Sequence, residues 1–201
     1  MAIMLGFEIQ VLKSVYSPRE DTFLLAANIP DGKKMLEVGC GSGLVSLCAA
    51  KKADSVLGVD INPAAVECSA KNAERNKVKN CTFKASDLFS AVQGRFDVIL
   101  FNAPYLPKAD KFDEGVEALA WCGGKTGREA LAGFLKGCGM HLSKGGTIAV
   151  IVSSATGLDE VLGLFRKNRL APAVVAKEKV PFEELYCIHA RKDGSFSRSI
   201  K

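Results

Sequence analysis

The sequence predicts an α/β fold, a doubly wound and mostly parallel sheet with helices on both faces, and three observations carry that prediction. Short apolar runs alternate with helical patterns along most of the chain, as the crossovers of a parallel sheet require. The runs are apolar at consecutive positions, which marks strands buried on both faces. The chain has 201 residues and is 48% hydrophobic, enough to fill one core at a length where a single domain is the ordinary organisation.

Taken in order, residues 35–38, 55–59, 81–85, 97–101 and 146–152 read as strands. Helices read between them at 43–52, 63–76 and 128–142, with Pro63 suited to a first helical turn. A further helix at 158–168 precedes strands at 173–177 and 186–191, and Pro172 and Pro181 punctuate the connections. Residues 1–191 are expected to form the one domain and 192–201 a polar tail. Residues 1–7 are briefly apolar, but Glu8, Gln10 and Lys13 interrupt them before a signal-peptide core or a membrane span could form. A soluble, cytoplasmic chain without a membrane partner is therefore expected.

Composition narrows the chemistry. The formal net charge of +5 suits an RNA-rich partner and is explained equally by solubility. Seven cysteines, at 40, 48, 68, 81, 122, 138 and 187, are odd in number and hold no CxxC pair, so they read as small buried hydrophobes in a reducing compartment. His141 and His189, the two histidines, share no ligand spacing, and no metal site is expected. No nucleophile elbow is present. Asn80-Cys81-Thr82 fits a glycosylation triplet by chance inside a strand.

Asn102-Ala103-Pro104-Tyr105 follows the apolar run 98–101 directly, which puts a polar, proline-stiffened turn at the end of a buried strand. Open α/β sheets hold their chemistry there. An asparagine amide, a neighbouring carbonyl and an aromatic face make a socket for a planar NH2 group. That socket suits methyl transfer to nitrogen in a chain that also binds a methyl donor.

Three places converge on such a donor. Glu37-Val38-Gly39-Cys40-Gly41-Ser42-Gly43 follows a strand and opens a helix, so Gly39, Gly41 and Gly43 let backbone approach a ligand. The spacing is GxGxG, which departs from the dinucleotide fingerprint at Leu44. Gly124-Lys125-Thr126 likewise fails as a phosphate loop, because Leu119 stands where the leading glycine belongs. Asp60 ends the strand 55–59, where a carboxylate either accepts ribose hydroxyls or caps the helix opened by Asp60-Ile61-Asn62-Pro63. Ser86-Asp87-Leu88-Phe89 follows the strand 81–85 and offers a carboxylate to an adenine amine, with Leu88 or Phe89 to cover the ring.

In this order Glu37 to Gly43, Asp60, Asp87 and Asn102 to Tyr105 resemble the class I S-adenosylmethionine methyltransferases that modify amino groups. Tyr16-Ser17-Pro18-Arg19-Glu20-Asp21-Thr22-Phe23-Leu24-Leu25, with Trp121-Cys122-Gly123-Gly124-Lys125-Thr126-Gly127-Arg128-Glu129, narrows the resemblance. It points to the HemK-like branch that methylates release-factor glutamine in archaea and eukaryotes. The resemblance implies a Rossmann-like, seven-stranded sheet whose last strand, at Tyr186, is reversed. It implies S-adenosylmethionine as donor, S-adenosylhomocysteine as product and no metal in this chain. Donor contacts are implied from Thr22, Glu37, Gly39, Gly41, Gly43, Asp60, Ile61, Asp87, Leu88 and Asn102, with residues 1–30 contributing to the donor site.

The family usually has two prolines after the asparagine, and this chain has Ala103 then Pro104. Alanine keeps the backbone carbonyl that the first proline offers to substrate but leaves φ free, so Pro104 and packing must stiffen the socket. The resemblance further implies a class I release factor as substrate, methylated on the glutamine of its Gly-Gly-Gln loop. It also implies a small zinc-binding activator subunit pairing at 80–85, where Lys77, Lys79 and Lys84 are otherwise plain edge protection. Alternatives are an adenine or guanine amino methyltransferase, a protein lysine methyltransferase and a non-catalytic donor-binding scaffold. No nucleic-acid-reading domain is visible, so nucleic acid is not required. Glu20-Asp21 reads equally as the acidic first turn of a helix, and residues 121–129 as a packed turn or as a wall of the substrate side.

Overall fold

The computed structural model describes residues 1–106 and 121–192. Its order is β1 (Ala2–Met4), β2 (Phe7–Ile9), α1 (Glu20–Ala27), β3 (Lys34–Val38), α2 (Leu44–Ala50), β4 (Ser55–Asp60), α3 (Pro63–Arg75), β5 (Cys81–Ala85), β6 (Phe96–Asn102), α4 (Glu129–His141), β7 (Leu142–Ser153), α5 (Leu158–Lys167), β8 (Leu170–Val180) and β9 (Glu183–Lys192). Seven strands form one sheet in the order β5-β4-β3-β6-β7-β9-β8. β9 runs antiparallel to both β7 and β8, while β5, β4, β3, β6 and β7 are mutually parallel. The seven-stranded, mostly parallel sheet with its reversed last strand is thus the one the resemblance implies.

Sequence explains the layering. Val98, Ile99 and Leu100 of β6 have no exposed surface, yet Ile99 packs in a cluster with Phe134 and Leu131 of α4, while Val98 and Leu100 pack with Leu25 of α1 and Val45 of α2. Alternate residues of a strand point to opposite faces, so a fully apolar run feeds two helical layers at once. Strand order changes direction between β3 and β6, and the crevice above the carboxyl ends of those strands is where such sheets bind ligands.

Differences from the expected boundaries have local causes. β7 starts at Leu142 and not at 146, because Ser143, Lys144, Gly145 and Gly146 carry no apolar signal. β8 and β9 extend beyond 173–177 and 186–191 as a polar hairpin, with Glu178, Lys179, Glu183 and Glu184 in its paired ends. The first hairpin, β1 with β2, turns through Leu5 and Gly6, both at positive φ, and its three-residue strands are too short for periodicity to reveal. α1 begins at Glu20, so the acidic pair Glu20-Asp21 is indeed a first helical turn. Of the expected tail, Lys192 closes β9 and residues 193–201 lie outside the described residues. Among the described residues no helix is long and apolar enough to cross a membrane.

The segment after β2 is fastened to α3 by side-chain amides. Asn72 accepts from the Gln10 amide at 3.0 Å and donates to the Gln10 carbonyl at 2.9 Å. One turn on, Asn76 accepts from the Glu8 amide at 2.9 Å and donates to its carbonyl at 2.8 Å. Each amide pairs with backbone as a neighbouring strand would, and the i, i+4 spacing on the helix meets the i, i+2 spacing of the extended chain. Asn72 also donates to the Ser42 carbonyl at 2.9 Å, and Asn62 donates to the Ser14 carbonyl at 2.8 Å. Residues 8–14 are thereby held along α3, and residues 14–18 are delivered to the carboxyl end of the sheet.

Asn72→Ala strips partners from the Gln10 amide and from the Ser42 carbonyl. It should lower unfolding free energy by about 2 to 4 kcal/mol in urea titrations, against less than about 1.5 kcal/mol for Asn76→Ala, whose partner is exposed.

Candidate active site

β3 ends at Val38, and the chain then turns through Gly39, Gly41 and Gly43 at φ of 69°, 53° and 83°. Gly43 caps α2, and a β-carbon there would stand 3.0 Å from the Ser69 backbone of α3. Close helix-to-helix approach therefore adds to the demand for glycine at 43. The Gly41 amide donates to Asp60 Oδ2 at 2.9 Å and the Gly41 carbonyl accepts from Ser69 Oγ at 2.9 Å, which fixes the loop from both sides.

This loop borders a cavity of about 250 Å³. Thr22, Glu37, Gly39, Gly41, Asp60, Ile61, Asp87, Leu88 and Asn102 all line it. Gly43 does not, and serves the loop through its packing on Ser69. Asp60 also accepts from the Asn62 amide at 2.9 Å, while the N-cap of α3 is Asn62. The Ile61 amide also turns toward this carboxylate, and with up to four acceptor sites on its two oxygens Asp60 retains capacity for a ligand hydroxyl. Asp87 is exposed and its carboxylate makes no hydrogen bond among the described residues. Leu88 faces the cavity, whereas Phe89 turns into the core against Phe134 and stacks on His141. Tyr16 and Phe101, which carry no donor-binding signal in the sequence, complete the walls of the cavity.

Two carboxyls here are held out of water. Burial pushes Glu37 up to about 8, against the hydrogen bond from Ser46 and with help from nearby Asp60. Burial likewise raises Asp60, opposed by the amides of Asn62, Gly41 and Ile61. Both are poised to gain from a cationic or hydroxyl-rich ligand. Among the described residues no group of three or more His, Cys, Asp or Glu is placed to hold a metal ion.

A second cavity, of about 470 Å³, is lined by Asn102, Ala103, Pro104 and Tyr105. Val15, Tyr16, Asn102 and Pro104 border both cavities. At this junction Asn102 Oδ1 is a buried acceptor without a hydrogen-bond partner among the described residues, and such an atom is costly unless a ligand answers it. The Tyr16 hydroxyl donates to Asp21 at 2.9 Å, and burial first, then Asp21, keeps that hydroxyl protonated. Glu20, Asp21 and Glu183 bring carboxylates to the second cavity and Arg19 one cation. Asp21 is further occupied by the Thr22 amide and hydroxyl, and Glu183 by the Ser153 hydroxyl.

Residues 121–127 brace the tetrapeptide. The Leu106 amide donates to the Trp121 carbonyl at 2.9 Å and the Gly123 amide to the Leu106 carbonyl at 2.8 Å. A β-carbon on Gly127, whose φ is 74°, would stand 2.2 Å from the Tyr105 carbonyl oxygen, and one on Gly123 would stand 2.5 Å from that of Pro104. Trp121 also lines the second cavity, so the segment is packed turn and wall together. Ala103 itself is buried, and its freer backbone is confined by this packing.

Residues 7–120 match the family described as Methyltransferase small domain. Over 191 residues the chain is 44% identical to a Methanocaldococcus jannaschii protein provisionally named protein N5-glutamine methyltransferase, covering 92% of this chain and 95% of that one. It is 33% identical over 177 residues to Mus musculus methyltransferase HEMK2, covering 79% and 80%. The solved E. cuniculi Mtq2-Trm112 complex, described as responsible for methylating the translation termination factor eRF1, matches with a TM-score of 0.70 at 24% identity, over 90% of this chain and 99% of that one. That likeness is one of fold.

Glu37 binds a proton more tightly folded than unfolded, so folding loses support as pH rises from the ordinary carboxylate range, about 4.3, to about 8. Glu37→Gln removes that titration. Relative to the parent, the variant should gain thermal stability progressively across the window, by at most about 1.4 kcal/mol per pH unit, and by no more above it.

Proposed function

Since this chain belongs to the methyltransferase small-domain family, in its HemK-like archaeal and eukaryotic branch, we propose that it methylates the glutamine side-chain amide in the Gly-Gly-Gln loop of a class I release factor. The observation that carries the reading is the buried, unpartnered Asn102 Oδ1 where the two cavities meet. S-adenosylmethionine, bound in the first cavity, supplies a methyl group on a cationic sulfur. The cavity suits it: Glu37 takes the ammonium, Asp60 the ribose hydroxyls, Asp87 the adenine amine, and Ile61 and Leu88 the ring faces.

An amide nitrogen is a poor nucleophile because its lone pair is delocalised into the carbonyl. Asn102 Oδ1 and the Ala103 carbonyl accept its two N–H bonds, draw electron density onto nitrogen and aim it through the junction. Tyr105 walls the planar amide, and Pro104 with the glycine brace keeps both acceptors fixed, so their alignment is set before substrate arrives. The methylated nitrogen is then acidic enough to release a proton without a dedicated base.

The carboxylates of the second cavity repel phosphodiester, which favours a polypeptide over a nucleic-acid base. Those same carboxylates would tolerate a lysine ammonium, so a protein lysine is the second reading. For partner, β5 is an edge strand of the sheet, and we place a small zinc-binding activator subunit along it by strand addition. Residues 1–191 act as one domain, whose segment 1–30 closes the donor site, and the reaction belongs to the cytoplasm, with translation.

The test offers labelled donor with release factor, its Gln→Ala variant, a lysine-rich histone peptide and RNA, with and without activator. Label that survives the Gln→Ala change overturns the reading. Asn102→Ala should lower transfer by about 1,000-fold with the fold preserved by circular dichroism. Asp60→Ala should weaken calorimetric donor binding by about tenfold or more. Gly127→Ala, by displacing the Tyr105 carbonyl, should cut kcat by about 100-fold while leaving donor affinity unchanged.

A further inference from the structure

The β8–β9 hairpin pairs Val180 with Glu183, so Pro181 and Phe182 alone make the turn. Phe182 sits at φ 71°, a left-handed conformation in which a β-carbon is strained and glycine or asparagine is the usual occupant. Its side chain is fully exposed, at 108% of the reference surface. A strained aromatic residue with no packing among the described residues does nothing for the fold.

Phe182 does not itself line the second cavity, but the residues that flank it do. Val180 and Glu183, on either side of the turn, line that cavity together with Leu185. The hairpin end is held rigidly: Lys177 pairs with Glu184 at 3.0 Å, the Tyr186 hydroxyl donates to Glu184 at 2.7 Å, and the Glu184 amide donates to Ser154 Oγ at 3.0 Å. Leu106 and Trp121, 42% and 37% exposed, line the same cavity. Exposed apolar surface among carboxylates is chemistry for a polypeptide and against a phosphate backbone.

We propose that Phe182 is a docking residue for the protein substrate, its ring packing on an apolar side chain of the loop that presents the methylated residue. The inference rests on the second cavity being the substrate site of the proposed function. The left-handed turn thrusts the ring outward, and the braced hairpin keeps it beside the cavity mouth. Affinity for the polypeptide then depends on Phe182, whereas the transfer step does not touch it.

The experiment measures steady-state methylation of a release-factor domain carrying Gly-Gly-Gln by the activator-bound parent, Phe182→Gly and Phe182→Leu. Phe182→Gly should raise KM for that domain by about tenfold, keep kcat and donor affinity within about twofold, and raise the thermal midpoint because strain is lost. Phe182→Leu, which stays apolar, should restore KM to within about threefold of the parent. An active parent with unchanged KM in Phe182→Gly overturns the docking role, as does a raised KM accompanied by a lowered thermal midpoint. A parent that neither methylates nor, loaded with S-adenosylhomocysteine, calorimetrically binds the domain overturns the proposed substrate and the docking with it.

Discussion

A side-chain amide carries the same donor and acceptor as a peptide group, and the protein uses that equivalence on α3. Asn72 and Asn76 present a substitute strand edge to Gln10 and Glu8, and Asn62 continues it to Ser14. Because Asn72 also holds the Ser42 carbonyl, one residue ties the N-terminal strap to the glycine loop. Ser14, Val15, Tyr16 and Pro18 line the first cavity, held there by this attachment together with the packing of Val11, Leu12 and Val15 on Ala65 and Cys68. Tyr16 then anchors Asp21 at the start of α1, and Thr22 arrives beside it.

Against that background of satisfied polar groups, Asn102 stands apart. Its neighbours in the two cavities are bonded within the chain: Asp60 to two backbone amides, Glu37 to Ser46, Asp21 to Tyr16 and Thr22. The side-chain oxygen of Asn102 is buried and unanswered, at the end of a strand whose apolar residues are locked between two helical layers. The strand that carries this acceptor is packed on both faces, and on the proposed reading the acceptor is left for the substrate amide.

Much of this was legible in the residues themselves. Apolar runs located β3, β4, β6 and β7, because strands buried on both faces show their burial as hydrophobicity; β5 was also located, but as an edge strand it leaves Thr82, Lys84 and Ala85 exposed and is not buried on both faces as expected. GxGxG, Asp60, Asp87 and the Asn102 tetrapeptide were readable because their chemistry is local to strand ends; all but Gly43, Ala103 and Tyr105 line the first cavity, and Ala103 and Tyr105 line the second. The substrate side was far less visible. Val180, Glu183 and Leu185 come to it from a hairpin remote in sequence, through the reversal of β9, and each looks like an ordinary strand residue. The strap was hidden for a related reason, since Asn72 and Asn76 in a helix read as solvent-facing polar positions until Gln10 and Glu8 lie against them.

The junction bounded by Val15, Tyr16, Asn102 and Pro104 also has a kinetic meaning. On the proposed reading, donor and polypeptide would occupy neighbouring chambers bordered in common by those four residues, so that neither would have to leave for the other to exchange. Spent cofactor would then be replaceable while the protein substrate stays docked, and docked substrate could depart while cofactor remains. The proposed function thus carries with it random-order traffic, in which the slower of two independent departures sets the pace of turnover.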